Sequence, residues 1–241
     1  MFQAAQDAER FTACCVCLDL EVGKADRQIH QIGAVRRDAH SGEPRIMHYS
    51  HGPLSPALAQ LDEFASGAEF TVGHNIIGFD LPFLAAAKPD LKLLERPAVD
   101  TLWLNPLAFP RNPYHHLVKH YQDAKLRSGQ KNNPAEDARL TLDVLTDQFK
   151  ALRKTAQADP DLLLAWHWLS TQHAADAGFG LFFTAVRRLP RPAAPQALQA
   201  IERLLDGKAC QRHGRGIAAQ AAQCAWPLAY TGSCQGSCRL K

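Results

Sequence analysis

The sequence predicts an α/β domain, and three observations lead there. Short apolar runs of strand length alternate with segments whose apolar residues recur at helical spacing. Hydrophobic residues make up 46% of 241 positions, enough to bury a core without disulfide staples. No internal repeat is evident, so the length fits one domain of ordinary size with a short appendage.

Taken in order, Thr12 to Val22 is an unbroken apolar run ending in charges and Gly23, which reads as a buried strand. Ile29 to Val35 and Arg45 to Tyr49 follow as a second and a weaker third strand, an antiparallel meander. Ser55 to Ser66 reads as a helix, with Ser55 as N-cap, Pro56 at the first position and Leu58, Leu61 and Phe64 on one face. Phe70 to Val72 is a short strand, and a helix from Leu81 to Ala87 carries Pro82 in its first turn. Ala98 to Leu102 reads as another short strand, Pro106 to Tyr114 as Pro-punctuated loop, His115 to Tyr121 as helix and Asp123 to Asn133 as polar loop. Pro134 opens a long helix through Phe149, with Ala138, Leu142, Leu145 and Phe149 at helical spacing.

These elements give an expected domain over residues 1–155 and a helical extension over 156–207. The extension has apolar helices at Leu162–Trp168 and Phe179–Val186, a proline-rich linker from Leu189 to Pro195, and a helix at Gln196–Leu205. Trp166 and Trp168 read as core rather than as base-stacking platforms. Residues 208–241, rich in Gln, Gly, Ser and Cys, resemble no packed element and are expected to be a flexible basic tail. Of its cysteines, only Cys234 and Cys238 approach the spacing of a zinc knuckle.

Charge is unevenly distributed along the chain. Residues 1–150 hold 16 Lys/Arg against 19 Asp/Glu, a net −3; the rest hold 11 against 5, a net +6. An acidic front half and a basic remainder suit a carboxylate-rich metal site beside a segment that holds nucleic acid. No stretch approaches the ~18–20 apolar residues of a membrane span, and the polar N-terminus is not a signal peptide. A cytoplasmic protein with no membrane partner is therefore expected.

Three motifs carry candidate chemistry. Asp19-Leu20-Glu21 ends the first strand, and the two-residue period puts both carboxylates on one face. A divalent cation would neutralise such a pair; simple solvent exposure at a strand end is the other reading. His74-Asn75-Ile76-Ile77-Gly78-Phe79-Asp80 delivers Asp80 at a helix start, where it also reads as an N-cap. His74 and Asn75 there also read as a hydrogen-bonded turn. Asp137 lies in the first turn of the long helix, a place the helix dipole favours for any acid.

The order of these motifs, in the stretches LDLE, GHNIIGFDLPFL and NNPAEDARLTL, resembles the DEDD superfamily of DnaQ-like 3′→5′ exonucleases over about residues 11–150. The second stretch also looks like the proofreading site of family B DNA polymerases, and the Val99-Asp100-Thr101 strand end matches a position often seen in DnaQ-like domains. The stretch AVDTLWLNPLAFPRNPYHHLVKHY is similar to the N-terminal exonuclease-like module of bacterial RecQ-type helicase proteins.

The resemblance implies an RNase H-like mixed sheet flanked by helices. It implies that Asp19, Glu21, Asp80 and Asp137 hold two Mg²⁺ or Mn²⁺ ions, with Asp19 shared between them. The implied reaction is hydrolysis at the 3′ end of single-stranded nucleic acid, DNA favoured, and a helicase domain or protein is the implied partner. His74, Asn75, Arg111, Lys119, Lys125, Arg127 and Lys131 are the expected nucleic-acid contacts.

The pattern breaks at the general base. The family places a His or Tyr five or four residues before the last Asp; here those positions are Asn132 and Asn133, whose amides do not accept a proton at neutral pH. Three readings follow. Asn132 orients a metal-activated water, another group such as His115, His116 or His120 substitutes, or the domain is a catalytically weak or inactive nucleic-acid-binding module. An enzyme acting on short oligonucleotides is a further alternative.

Overall fold

In the computed structural model, residues 2–38, 42–112, 133–206 and 211–233 are described. Five strands form one mixed sheet: β1 (Cys15–Val22), β2 (Ile29–Arg37), β3 (Pro44–Tyr49), β4 (Phe70–Gly73) and β5 (Ala98–Asp100). Their order is β3-β2-β1-β4-β5, with β2 antiparallel to β1 and β3, and β4 and β5 parallel to β1. This is the expected α/β architecture, with the meander first and the parallel strands reached by helical crossovers.

Both faces of the sheet are buried, and β1 shows why. Its even residues Val16, Leu18 and Leu20 enter one apolar core, with Leu58 and Leu61 of helix α2 (Leu54–Phe64) and Leu84 of helix α3 (Asp80–Ala87). Its odd residues Cys15 and Cys17 enter the other, with Ala138, Leu142, Leu145 and Phe149 of the helix over residues 134–158. Asp19 and Glu21 continue the odd row past the point where the apolar residues stop.

Several boundaries differ from expectation. Helix α1 (Phe2–Ala13) occupies the start of the run read as strand, and β1 begins only at Cys15. A short apolar run at a junction suits either state, and packing decides: Phe11 lies 4.6 Å from Phe70 and 5.5 Å from Phe149, ring to ring. Helix α2 starts before Ser55, with Pro53 at the N-cap and no side-chain cap. Residues expected as loop from Pro106 belong partly to helix α4 (Thr101–Ala108). Pro106 falls in its last turn, where it forgoes one backbone bond to the Leu102 carbonyl, and the burial of Leu104 and Leu107 holds the helix. The long helix α5 (Pro134–Ala158) runs nine residues beyond Phe149.

The C-terminal part packs onto the sheet domain through α6 (Pro160–Leu169), α7 (Ala177–Arg187) and α8 (Ala194–Leu205), which share α5's core. Trp166 and Trp168 are core residues; the Trp166 indole donates to the Ala229 carbonyl at 2.9 Å. The expected flexible tail is replaced, over 211–233, by α9 (Gln211–Ala219) and α10 (Ala221–Ser233). Trp226 of α10 lies edge-on to Trp103 at 5.0 Å and to Phe179 at 4.7 Å, a burial that overrides the Gly- and Gln-rich composition around it. Cys210, Cys234 and Cys238 lie outside the described residues. Among the described residues, no helix is long and apolar enough to cross a membrane.

Candidate metal centre

The site forms where β1 outruns β4. The parallel pairing covers Cys15 to Cys17 against Phe70 to Val72, so among the described residues the far half of β1 has no strand on that side. Asp80 supplies the missing acceptor: the Leu20 N–H donates to its Oδ1 at 2.9 Å. Phe79, not Asp80, is the N-cap of α3, so the capping alternative for Asp80 gives way to a bond across to β1.

On the other side of β1 stands β2, with Asp19 opposite Gly33 and Glu21 opposite Gln31. Helix α5 crosses this pair at its N-terminus. Asn133 caps it, its Oδ1 accepting from the N–H groups of Ala135 at 3.2 Å and Glu136 at 3.4 Å. Pro134 takes the first position, and Asp137 follows in the first turn, 5% exposed.

The carboxylates of Asp19, Glu21 and Asp137 thereby converge, each offering an oxygen within 4.8 Å of the others. Oxygen ligands at ~2.0–2.6 Å from one Mg²⁺, Mn²⁺ or Ca²⁺ ion sit at such mutual distances. The donor set is hard oxygen, which suits those ions rather than zinc. Cys17 lies beneath in the same row, but burial pushes its thiol well above the ordinary range, and Cys15, Asp19 and Asp80 push it further. The residues therefore fit a divalent cation.

Asp80 stands beside this trio rather than within it. Burial pushes its carboxyl well above the ordinary range, and the negative charge of Asp19 pushes the same way; the Leu20 N–H opposes both. A cation at the cluster would reverse that balance by offsetting the shared negative charge.

The second motif is organised by Asp100. Its Oδ1 accepts from the N–H groups of Asn75 and Leu102, each at 2.9 Å, and its Oδ2 from Ile77 at 3.1 Å. Burial nonetheless raises its carboxyl above the ordinary value against these bonds. Asn75 takes a left-handed conformation (φ 69°) that suits its residue type, and His74 Nδ1 bonds Thr101 Oγ1 at 2.9 Å. His74 and Asn75 are thus tied into a turn, and neither belongs to the carboxylate trio. Arg111 is exposed. Asn132, Lys119, Lys125, Arg127, Lys131, His115, His116 and His120 lie outside the described residues.

A cleft of 730 Å³ opens beside the trio, lined by Glu21, Val22, His30, Gln31, His48, Ser50, His51 and Asn133. These histidines come from β2, β3 and the turn after β3. Sequence reading passed over them because only the strand register brings them beside Glu21. Gly33 was missed as a determinant of the site for the same reason, whereas Asp100 belongs to the strand end that the sequence already marked.

No protein-family model, curated protein or solved structure matches the chain.

Proposed function

We propose that the chain is a metal-dependent 3′→5′ exonuclease of the DnaQ-like type, acting on single-stranded nucleic acid through an RNase H-like domain. The observation that carries this reading is the convergence of Asp19, Glu21 and Asp137 within 4.8 Å, with Asp80 fixed beside Asp19. The strand order β3-β2-β1-β4-β5, antiparallel only on the meander side, supports it. Mg²⁺ or Mn²⁺, two ions in the full reading, supplies Lewis acidity that lowers the pKa of a water and stabilises the departing oxygen.

The chain's own residues do the positioning. Asp19 and Glu21 are held on a central strand, and Asp137 on the first turn of a capped 25-residue helix, so the ligands sit on rigid elements. Asp80 is held beside Asp19 by the Leu20 amide.

A second reading rests on Asn133. Its carboxamide is engaged in capping α5, so the position next to Asn132 supplies no proton acceptor. A weakly active or inactive nucleic-acid-binding module follows from that. The test uses 5′-labelled single strands with Mn²⁺, Mg²⁺ or EDTA, comparing the wild type with Asp19→Ala. A metal-dependent ladder shortening from the 3′ end, absent in the variant, supports the exonuclease. Intact strands that still bind the protein favour the second reading.

A further inference from the structure

We propose that His30, positioned by Asp26, accepts the proton from the water that attacks the phosphodiester beside the carboxylate trio. This rests on the nuclease reading above and supplies the proton acceptor that Asn133 does not. Hydrolysis needs a base that is oriented by a third group and opens onto the reacting atoms.

His30 owes its position to an irregularity in the sheet. Glu21 pairs with Gln31, but the next pair is Val22 with Ile29, so His30 is an extra residue on β2 between the partners of Glu21 and Val22. Bulges of this kind re-aim a side chain and recur beside active sites. His30 and Glu21 accordingly line the same cleft.

The turn from β1 to β2 then fixes the imidazole. Gly23 N–H donates to the Gln28 carbonyl at 2.9 Å and Arg27 N–H to the Gly23 carbonyl at 3.0 Å. Within that turn the Asp26 Oδ1 accepts from the Gln28 N–H at 3.1 Å, leaving Oδ2 for His30 Nε2 at 2.8 Å. Both side chains lie against Gly23: a β-carbon there would be 2.1 Å from Asp26 Oδ1 and 2.8 Å from His30 Nε2. With Asp26 holding the proton on Nε2, the lone pair of the ring is on Nδ1.

The other two histidines of the cleft differ. His51 Nδ1 is taken by Ser50 Oγ at 2.7 Å, and among the described residues His30 is the one of the three with a hydrogen-bonded carboxylate. The carboxylate trio includes none of these histidines, and His30 meets it through the cleft that His30 and Glu21 both line.

The step balances simply. Water oxygen forms the new bond to phosphorus, its proton passes to His30 Nδ1, and the bond from phosphorus to the upstream 3′-oxygen breaks. That oxygen takes a proton from solvent, and the imidazolium returns its own to solvent.

The test compares the wild type with His30→Ala, His30→Gln and Asp26→Asn, using Mn²⁺ affinity by electron paramagnetic resonance and cleavage of a 5′-labelled strand with and without added imidazole. The expected result is Mn²⁺ binding like the wild type in all three, with cleavage by both His30 variants reduced about 10²–10⁴-fold. Imidazole then restores part of the rate to His30→Ala but not to His30→Gln, and Asp26→Asn falls between. A wild type that cleaves, with His30→Ala cleaving equally well, overturns the assignment of His30 and leaves the nuclease reading standing. A wild type that binds Mn²⁺ and does not cleave overturns both.

Discussion

Gly33 lies directly beneath Pro134: a β-carbon on Gly33 would sit 2.1 Å from the Pro134 carbonyl carbon and 2.1 Å from the Ala135 amide nitrogen. Because Gly33 is also the cross-strand partner of Asp19, the missing side chain lets the N-terminus of α5 descend until Asp137 reaches Asp19 and Glu21. Gly33→Ala must therefore push α5 away from the sheet, since the obstructing atoms are backbone. The expected cost is about 1–3 kcal/mol of stability from overpacking. Mn²⁺ affinity should fall more steeply than stability, because Asp137 moves with the helix. A titration by electron paramagnetic resonance beside a urea melt checks it; unchanged Mn²⁺ affinity would refute the link.

Asp80 gives a pH dependence with a definite sign. Its folded value is raised well above the unfolded 3.8 by burial and by Asp19. The folded chain thus binds more protons than the unfolded one between those values, and stability falls as pH rises through that window. The stabilising contribution is fully present below 3.8 and lost as Asp80 ionises. In EDTA, Asp80→Asn should lose less stability as pH rises above 3.8 than the wild type does. The Asn Oδ1 still accepts from Leu20 N–H, so local geometry is kept. Parallel denaturant melts across that range, with the two curves running together, would contradict it.

How much of this was legible in the sequence depends on the reach of each interaction. Asp19 and Glu21 were readable because the strand period is local and sets both on one face. Asp137 was readable because Pro134 and the following apolar spacing mark a helix start. Gly33, Asp100 and His30 act through register and through contacts between distant segments, Gly33 with Pro134 and Asp100 with Asn75, and single-chain periodicity carries none of that. Helices α1 and α10 were missed for a related reason. Phe11 and Trp226 hold them by packing on distant aromatic residues, which overrides weak local preference.

Asp100 should be a stability determinant for the second motif rather than a ligand. Both of its oxygens accept from backbone N–H groups of the turn and of α4. In Asp100→Asn the amide NH₂ must face at least one of those donors, leaving a buried N–H without an acceptor. The expected loss is about 1–3 kcal/mol. Hydrogen exchange at the Asn75 and Ile77 amides should quicken, while Mn²⁺ binding at the trio changes less than in Gly33→Ala. A stability equal to that of the wild type would show that the turn does not depend on the carboxylate.

Asp7 joins α1 to the rest of the fold. Its Oδ2 accepts from Arg153 of α5 at 2.6 Å and from Arg188, just past α7, at 2.5 Å, and the Arg153 side chain is 8% exposed. Burial alone would raise the Asp7 carboxyl, but the hydrogen bonds and charges of the two guanidinium groups outweigh it and hold the carboxyl below its ordinary 3.8. An acid with a lowered folded value stabilises above the unfolded value and loses that contribution as pH falls through the folded one. Asp7→Asn should therefore cost about 1.5–3 kcal/mol near neutral pH, the range for hydrogen bonds to charged groups. Below 3.8 the gap between wild type and variant should close progressively. Melts at neutral and acid pH test both halves, and a gap that stays constant into acid would assign the effect to shape rather than to charge.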